Sequence, residues 1–307
     1  MLSILIPTYN VNIHPLVSEL QQQLKENQVE YEIIIEDDNS TDKTILHHNS
    51  LLGEGERTTY IKHPENLGRS KTRNRLADAA KFPYLLFLDC DARMKRADFI
   101  ANYLEFIKKR QLGTEPFAVS GGLAYRDISP AKNQMLRYKY GLKREVRPAA
   151  IRNRHPHSNF TPFNLLISKS VFDTCHFDDS LTDYGYEDTF FGMALEENGI
   201  PVYHIDNEMF HDGLDDNKDF LAKVTDSIRN LDKLYCDGKA NNAFENQSRL
   251  LQTWKKLSAK SYAPLLFAML RMVKRPLTHL ILRNNSLTAL DLYKILLFDE
   301  LRRGKKN

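Results

Sequence analysis

The sequence predicts an α/β protein in which helices flank a mixed, mainly parallel sheet, followed by a helical C-terminal appendage. Short apolar segments rich in β-branched residues alternate with segments of helical spacing over residues 2–88, an order typical of parallel sheets. From residue 216 onward, apolar residues recur almost wholly at helical spacing. We therefore expect an α/β domain over residues 1–212 and a helical region over residues 213–307.

The composition is that of a globular protein and gives no indication of a nucleic-acid partner. The 307 residues are 42% hydrophobic and 27% charged, with a formal net charge of +3, which are ordinary values. The three cysteines are scattered and make no disulfide framework. The first residues lead us to expect no signal peptide, and no uncharged stretch reaches the roughly 18 residues of a membrane span. We expect a cytoplasmic protein.

The predicted strands and helices follow from the local spacing of apolar residues. The predicted strands are short apolar runs at residues 2–6, 31–35, 58–61, 84–88, 117–125, 165–167 and 202–205. Pro7 should close the first strand, and two adjacent glycines should break the strand at 117–125. The predicted helices include one through the leucines at 16, 20 and 24, and others at 69–80, 99–109 and 184–198. Gly199 is suited to the position just after a helix end.

Two carboxylates follow the strand at 84–88. Asp89 and Asp91 are spaced by one residue, and open α/β sheets bind ligands at the carboxyl ends of their strands. Carboxylate oxygens suit Mg²⁺ or Mn²⁺, which complete their coordination with water and substrate phosphates. A solvated turn would explain the pair equally well, so the neighbouring loops must decide.

Those loops form an ordered set of motifs. They read Pro-Thr-Tyr-Asn at 7–10, Asp-Asp-Asn-Ser-Thr-Asp at 37–42 and Asn-Leu-Gly at 66–68, with Arg-Asn at 73–74 and Glu-Asp at 187–188. Together with Asp-x-Asp, this order resembles the bacterial-type, inverting family 2 glycosyltransferases of the GT-A fold. The resemblance covers roughly residues 1–212. Asn39 and Glu36 depart from it, standing where the family usually has glycine and an apolar residue.

The resemblance implies a site for a nucleotide sugar, with a UDP-sugar as the expected donor. Asp37 or Asp38 would contact the base, and Thr8 and Tyr9 would line the base and ribose pocket. The full set of implied donor-binding residues is Pro7, Thr8, Tyr9, Asp37, Asp38, Asn66, Arg69, Arg73 and Asp89.

The resemblance also implies a divalent cation, Mn²⁺ or Mg²⁺. Its implied ligands are Asp91, Asp89 and His211. Such a cation neutralises charge on the departing diphosphate, and Arg69 and Arg73 could add fixed positive charge there. A solvated helix face is the alternative for both arginines. His204 competes with His211, but strand alternation favours a packed position for His204.

The resemblance makes Asp188 the general base, leaving Glu187 to orient the acceptor. Adjacent residues on a helix point about 100° apart, so the two carboxylates cannot share one task. Partial desolvation would raise the pKa of a carboxyl group toward the range that suits a base. Carboxylates that merely favour a helix N-terminus are the alternative.

We therefore predict a metal-dependent hexosyltransferase of polysaccharide biosynthesis. It would move one sugar to a glycan or a lipid-linked saccharide in a single inverting displacement. A nucleotidyltransferase on a similar sheet is the rival, but residues 7–10 lack the glycine- and basic-rich phosphate loop that it would need. A non-catalytic glycan-binding or scaffold protein would be expected to have lost one of Asp89, Asp91 and Asp188.

The C-terminal third alternates apolar and basic residues. Apolar blocks at 262–282 and 287–301 are interrupted by Arg271, Lys274, Arg275 and Arg283. Basic amphipathic helices can lie on anionic bilayers, so peripheral contact with the inner face of the cell membrane is one expectation. Packing on the first domain or on a second subunit is the other, and the sequence leaves the oligomeric state open.

Overall fold

The computed structural model describes residues 1–181 and 183–304, so Thr182 and the last three residues of the predicted C-terminal region lie outside it. The chain forms two compact units. The first comprises Met1–Arg126, Val146–Thr182 and Glu187–Gly213, and the second comprises Asp127–Glu145, Asp183–Tyr186 and Leu214–Asn307. The division into domains at residue 212 stays a prediction.

A seven-stranded sheet forms the centre of the first unit. The strands of the chain are β1 (Leu2–Thr8), β2 (Tyr31–Asp37), β3 (Thr58–Lys62), β4 (Tyr84–Leu88), β5 (Ala92–Arg93), β6 (Ala118–Ser120), β7 (Leu123–Ala124), β8 (Asn164–Ser168), β9 (Val202–His204) and β10 (Met209–His211). The large sheet has the order β3-β2-β1-β4-β8-β6-β9, and β5, β10 and β7 form a second sheet. Only β8 runs antiparallel to its neighbours in the large sheet. The predicted mixed, mainly parallel sheet is therefore confirmed.

Helices cover both faces of this sheet. The helices of the first unit are α1 (His14–Glu26), α2 (Lys43–Ser50), α3 (Arg69–Ala79), α4 (Phe99–Arg110), α6 (Ala149–Arg152) and α7 (Glu187–Glu197), and α5 (Met135–Tyr140) belongs to the second unit. On β1, Ile4 and Ile6 pack with α1 and α4, whereas Leu5 packs on the opposite face with α3 and α7. The two-residue period of a strand thus supplies both cores.

Two strands continue two residues beyond their predicted ends. β1 continues through Pro7 to Thr8, and β2 continues through Glu36 to Asp37. Glu36 is only 1% exposed, and its Oε2 lies 2.8 Å from Nε2 of His63. A charged residue can extend a buried strand when it has a partner, and His63, which supplies that partner, lies 27 residues away in the sequence.

Two other predicted elements are shorter than expected. The segment at 117–125 breaks at its glycines, as predicted, but β6 and β7 then join different sheets. A Cβ on Gly121 would lie 2.5 Å from the side chains of Asn164 and Tyr103. The helix predicted from residue 184 begins at Glu187, because Gly185 and Tyr186 adopt positive φ angles of 92° and 77°.

The C-terminal part of the second unit is helical, as predicted. Its helices are α8 (Asn217–Cys236), α9 (Asn242–Gln247), α10 (Arg249–Ser258), α11 (Ala263–Met272), α12 (Lys274–Asn284) and α13 (Leu287–Gly304). Trp254 packs edge-on against the buried Phe298, with ring centroids 5.1 Å apart. Among the described residues, no helix has the length and apolar character that crossing a membrane requires.

Candidate active site

The loops after β1 and β2 are joined by hydrogen bonds. The Asp38 N–H donates to the Thr8 carbonyl at 2.9 Å. Asn10, at a φ of 54°, accepts bonds at its side-chain oxygen from the N–H groups of Thr41 and Asp42 at 2.8 and 2.9 Å. Asp42 in turn caps α2. The parallel strands therefore bring these two predicted loops together at one edge of the sheet.

The Asp37 carboxylate is fully buried and ties the second loop to β3. Oδ1 accepts from the Ser40 N–H at 2.6 Å, and Oδ2 accepts from the Tyr60 hydroxyl at 2.7 Å. Burial and this bond raise the pKa of Tyr60 above its ordinary value. Sequence reasoning missed Ser40 and Tyr60. Ser40 lies inside the quoted motif, whereas nothing in the local pattern marks Tyr60.

Asp38 ties the second loop to the start of α3. Its two carboxylate oxygens accept the Leu67 N–H at 2.6 Å and the Gly68 N–H at 3.0 Å. The Asn66 side-chain amide donates to the Asp38 carbonyl at 3.0 Å. Each carboxylate oxygen has two acceptor sites, so this ordering role leaves capacity for a ligand at Asp38.

The first loop offers one accessible aromatic ring. Tyr9 is 44% exposed, whereas Thr8 is 2% exposed and Pro7 is half-buried within β1. An exposed ring beside a buried hydroxyl provides a surface on which a planar base can stack. The assignment of these residues to a base and ribose pocket stays a prediction.

Arg73 is a buried cation between two of the predicted site carboxylates. Its side chain is 3% exposed, with Nη2 2.9 Å from Oδ1 of Asp89 and Nη1 3.6 Å from Oδ1 of Asp188. The guanidinium also lies 5.4 Å from the ring centroid of Phe177. Burial acts to raise the pKa of Asp89, but the positive charges of Arg73 and Arg69, with the hydrogen bond from Arg73, together outweigh burial and lower that pKa. The solvated-helix interpretation is therefore wrong for Arg73.

Arg69 lies one turn before Arg73 on α3 and pairs with the neighbouring carboxylate. Its Nη1 is 3.3 Å from Oε1 of Glu187, and its side chain is 56% exposed. Glu187 and Asp188 open α7 and contact different arginines. The two adjacent carboxylates thus have separate environments, in line with the separate tasks predicted for them.

Asp188 has the electrostatic environment of a carboxyl group that titrates near neutrality. Burial and the adjacent Glu187 carboxylate raise the pKa of Asp188 to about 7, against the opposing effect of Arg73. Oδ1 is inaccessible to solvent, although the side chain as a whole is 38% exposed. One side of Asp188 is therefore held by the protein while the rest faces solvent.

Asp91 and His211 form the part of the site that suits a divalent cation. His211 Nε2 lies 3.6 Å from Asp91 Oδ2, and the imidazole stacks on Tyr125 and Phe163 at centroid distances of 5.5 and 5.3 Å. A Cβ on Gly213 would lie 2.0 Å from Asp91 Oδ2, so glycine leaves room for this carboxylate. Burial raises the pKa of Asp91 although His211 opposes the shift, and a bound dication would compensate the buried charge.

The protein supplies few ligands to such a cation. Within residues 1–181 and 183–304, no three His, Cys, Asp or Glu side chains are grouped closely enough to hold a metal. Asp89, the third predicted ligand, is bound to Arg73. Mg²⁺ and Mn²⁺ commonly keep water and substrate phosphates as ligands, so Asp91 and His211 fit a cation that arrives with a diphosphate.

His204 is a packed residue, as strand alternation indicated. It is 4% exposed, with Nδ1 2.8 Å from Nη1 of Arg152 and Nε2 2.9 Å from the Pro156 carbonyl. Burial lowers the pKa of His204 to about 4, which keeps the imidazole neutral.

Residues 3–173 match the sequence profile described as glycosyl transferase family 2. This chain belongs to glycosyl transferase family 2. The matched segment contains the loops after β1, β2 and β4 and the start of α3, so the resemblance seen in the sequence motifs is confirmed.

Curated relatives of this family 2 chain match over part of their length. An uncharacterized glycosyltransferase of Haemophilus influenzae is 33% identical over 102 residues, which is 33% of this chain and 38% of that protein. The putative teichuronic acid biosynthesis glycosyltransferase TuaG of Bacillus subtilis is 31% identical over 112 residues, 36% of this chain and 43% of that protein. The matches thus span less than half of either relative.

Solved structures of similar fold extend over nearly the whole chain. The mannosyltransferase PcManGT from Pyrobaculum calidifontis, in complex with GDP-Man and Mn²⁺, gives a TM-score of 0.56 at 15% identity, covering 100% of this chain and 88% of that one. S. aureus TarS gives 0.51 at 18% identity, covering 96% of this chain and 54% of that one. These likenesses confirm the GT-A fold.

Proposed function

We propose that this chain is a metal-dependent, inverting glycosyltransferase that moves a sugar from a nucleotide diphosphate donor to a saccharide hydroxyl. The observation that carries the proposal is the cluster around Arg73, which holds Asp89 at the end of β4 and Asp188 at the start of α7. It combines a carboxylate beside the implied donor loops with one whose pKa lies near neutrality. Family membership supports the same reaction class.

The donor would bind along the edge of the sheet, with UDP as the proposed nucleotide. Tyr9 is the exposed ring on which the base would stack, and Asp37 or Asp38 would accept the single N–H of uracil. Arg69 is more than half exposed, so its guanidinium is available to a diphosphate in a way that the buried Arg73 is not. The solved PcManGT complex holds GDP-Man, which makes GDP the comparison nucleotide.

Asp91 and His211 would hold Mn²⁺ or Mg²⁺. When bound, the cation supplies positive charge that stabilises the departing nucleoside diphosphate. Asp91 would serve as an anionic oxygen ligand, and the stacking of His211 on Tyr125 and Phe163 would fix the direction of its imidazole. Gly213 would keep the space around the Asp91 carboxylate open.

Asp188 would act as the general base. The acceptor oxygen forms a bond to the anomeric carbon, the bond from that carbon to the diphosphate oxygen breaks, and Asp188 takes the hydroxyl proton. A pKa of about 7 matches this task at neutral pH. Arg73 would favour the ionised carboxylate, and Glu187, held by Arg69, would position the acceptor. The acceptor would be a glycan or a lipid-linked saccharide.

Thermal unfolding with nucleotides and cations tests the proposal. UDP with Mn²⁺ should raise the midpoint, and a panel of UDP-sugars should show cation-dependent release of UDP. Asp91→Asn should lose the shift because a neutral amide is a poorer cation ligand, whereas the exposed Asp98, changed to Asn, provides a control. Release of pyrophosphate from UTP and a sugar 1-phosphate would instead indicate a nucleotidyltransferase, and absence of any nucleotide binding by the wild type would refute the proposal.

A further inference from the structure

The second unit carries an exposed apolar stripe along α11 and into α12. On α11, Leu265, Met269 and Met272 are 66%, 58% and 84% exposed, and their spacing of four and three residues places them on one helix face. The opposite side of α11 is buried through Ala263 and Phe267. The whole stripe, which holds six of the fifteen exposed large hydrophobic residues in the described chain, comprises Tyr262, Leu265, Met269, Met272, Val273 and Leu280.

The same segment carries only positive charge. Between Glu245 and Asp291 the sequence has eight lysines and arginines and no acidic residue. Lys260, Arg275 and Arg283 are exposed and form no ion pair with any described carboxylate. These cations flank the stripe along the chain, before α11 and along α12. The arrangement joins apolar side chains to unneutralised positive charge.

A cavity of about 370 Å³ adjoins the stripe on α12. It is lined mainly by the carbon atoms of Lys274, Arg275, Thr278, His279, Leu282 and Arg283. Arginine and lysine donate charge-assisted hydrogen bonds to phosphate oxygens. Arg275 and Arg283 could therefore pair with a phosphate group while an apolar chain attached to that group follows the stripe.

We infer that α11 and α12 form a binding surface for an anionic lipid bilayer. Apolar side chains flanked by lysine and arginine match a layer in which acyl chains lie beneath negative headgroups. A second copy of the chain matches poorly, because a symmetric contact would bring two surfaces of the same positive charge together. The inference does not depend on the transfer reaction, but it would bring a family 2 enzyme to an acceptor carried on a lipid.

Vesicle sedimentation of the full chain tests the inference. Vesicles containing phosphatidylglycerol should retain the protein, those of phosphatidylcholine alone should not, and added salt should weaken binding. Met272→Asp should reduce the partition coefficient roughly 10- to 100-fold, since a buried methionine side chain is lost from the interface. Arg275→Glu should reduce it about fivefold for each unit of charge changed.

Ile128→Asp is the matched control, because Ile128 belongs to the same unit and is 52% exposed but lies outside the stripe. It should bind like the wild type. The inference is refuted if the wild type does not bind anionic vesicles, if it binds both vesicle types equally, or if Met272→Asp and Arg275→Glu both bind as tightly as the wild type. A dimer that Met272→Asp converts to monomer, without vesicle binding, would assign the surface to a second copy. Thermal shifts with UDP and Mn²⁺, recorded on the same variants, report on the proposed enzymatic function separately.

Discussion

The buried guanidinium of Arg73 should contribute far more to stability than its exposed neighbour. Arg73 is 3% exposed and pairs with Asp89 and Asp188, whereas Arg69 is 56% exposed and pairs with Glu187. Replacing either arginine with methionine keeps an unbranched side chain on α3 and removes the charge. At Arg73 the methionine would retain contact with Phe177, so the comparison isolates the charge and its hydrogen bonds.

The structure sets the expected magnitudes. Removing one partner of a buried ion pair typically costs about 3–5 kcal/mol. Asp89 and Asp188 are 33% and 38% exposed, so water can reach part of each carboxylate. We therefore take the lower end of this range and expect Arg73→Met to reduce the free energy of unfolding by about 3 kcal/mol. For a domain of this size, that loss lowers Tm by roughly 6–12 °C. An exposed ion pair contributes about 0–1 kcal/mol to stability, so Arg69→Met should reduce the free energy of unfolding by no more than about 1 kcal/mol.

The effect of Arg73 should also depend on pH. In the wild type, Arg73 lowers the pKa of Asp89, and this contribution to stability is present above the ordinary pKa and lost as pH falls through the lowered one. Without Arg73, burial raises the pKa values of both carboxyls. A carboxyl group whose pKa is raised by folding stabilises the protein at low pH, and this stabilisation is lost as pH rises. The free energy of unfolding of Arg73→Met should therefore increase on acidification. The difference in free energy of unfolding between the wild type and Arg73→Met should be largest near neutrality and shrink toward about pH 4.

Urea unfolding of the wild type and both variants, at neutral and at mildly acidic pH, measures these differences. Far-UV and near-UV circular dichroism of the same samples checks that the folded state is retained. Equal losses for Arg73→Met and Arg69→Met would show that burial of the guanidinium is not decisive. A free-energy difference for Arg73→Met that is independent of pH would refute the assignment of the loss to Asp89 and Asp188.

Three further results are expected from the site. Asp188→Asn should lower kcat by about 10²- to 10⁴-fold with little change in donor affinity, and an unchanged kcat would show that Asp188 is not the base. Glu187→Gln should mainly raise the acceptor KM. In steady-state kinetics of the wild type, kcat/KM should fall as pH drops below about 7, because the raised pKa of Asp188 leaves it protonated there, and a flat profile across this range would contradict the assignment. Gly213→Ala should displace the Asp91 carboxylate and weaken Mn²⁺-dependent UDP binding in calorimetry, whereas Gly304→Ala, with open space around it, should bind normally.

Much of the fold follows from local pattern, and the errors have a common cause. The sequence predicted β1 to β4 and the helices α1, α3 and α4 in their observed order, because apolar periodicity reports which face of an element is buried, but it missed the two-residue strand β5. It placed the end of β2 too early because Glu36 and Asp37 are acidic. Their burial depends on His63 and Tyr60, and a pattern confined to one segment carries no information about partners on another.

The sequence by itself determined that Asp89, Asp91 and the loops after β1 and β2 would share one edge of a sheet, because the carboxyl ends of neighbouring parallel strands lie together. Only the tertiary structure decided how the charges pair. Arg69 and Arg73 have the same charge and lie one turn apart on α3, yet the first is exposed and the second is buried. Their partners on α7 are more than a hundred residues away in the sequence. Local spacing does not encode the packing between such distant segments, and this packing decides which of the two guanidinium groups is buried.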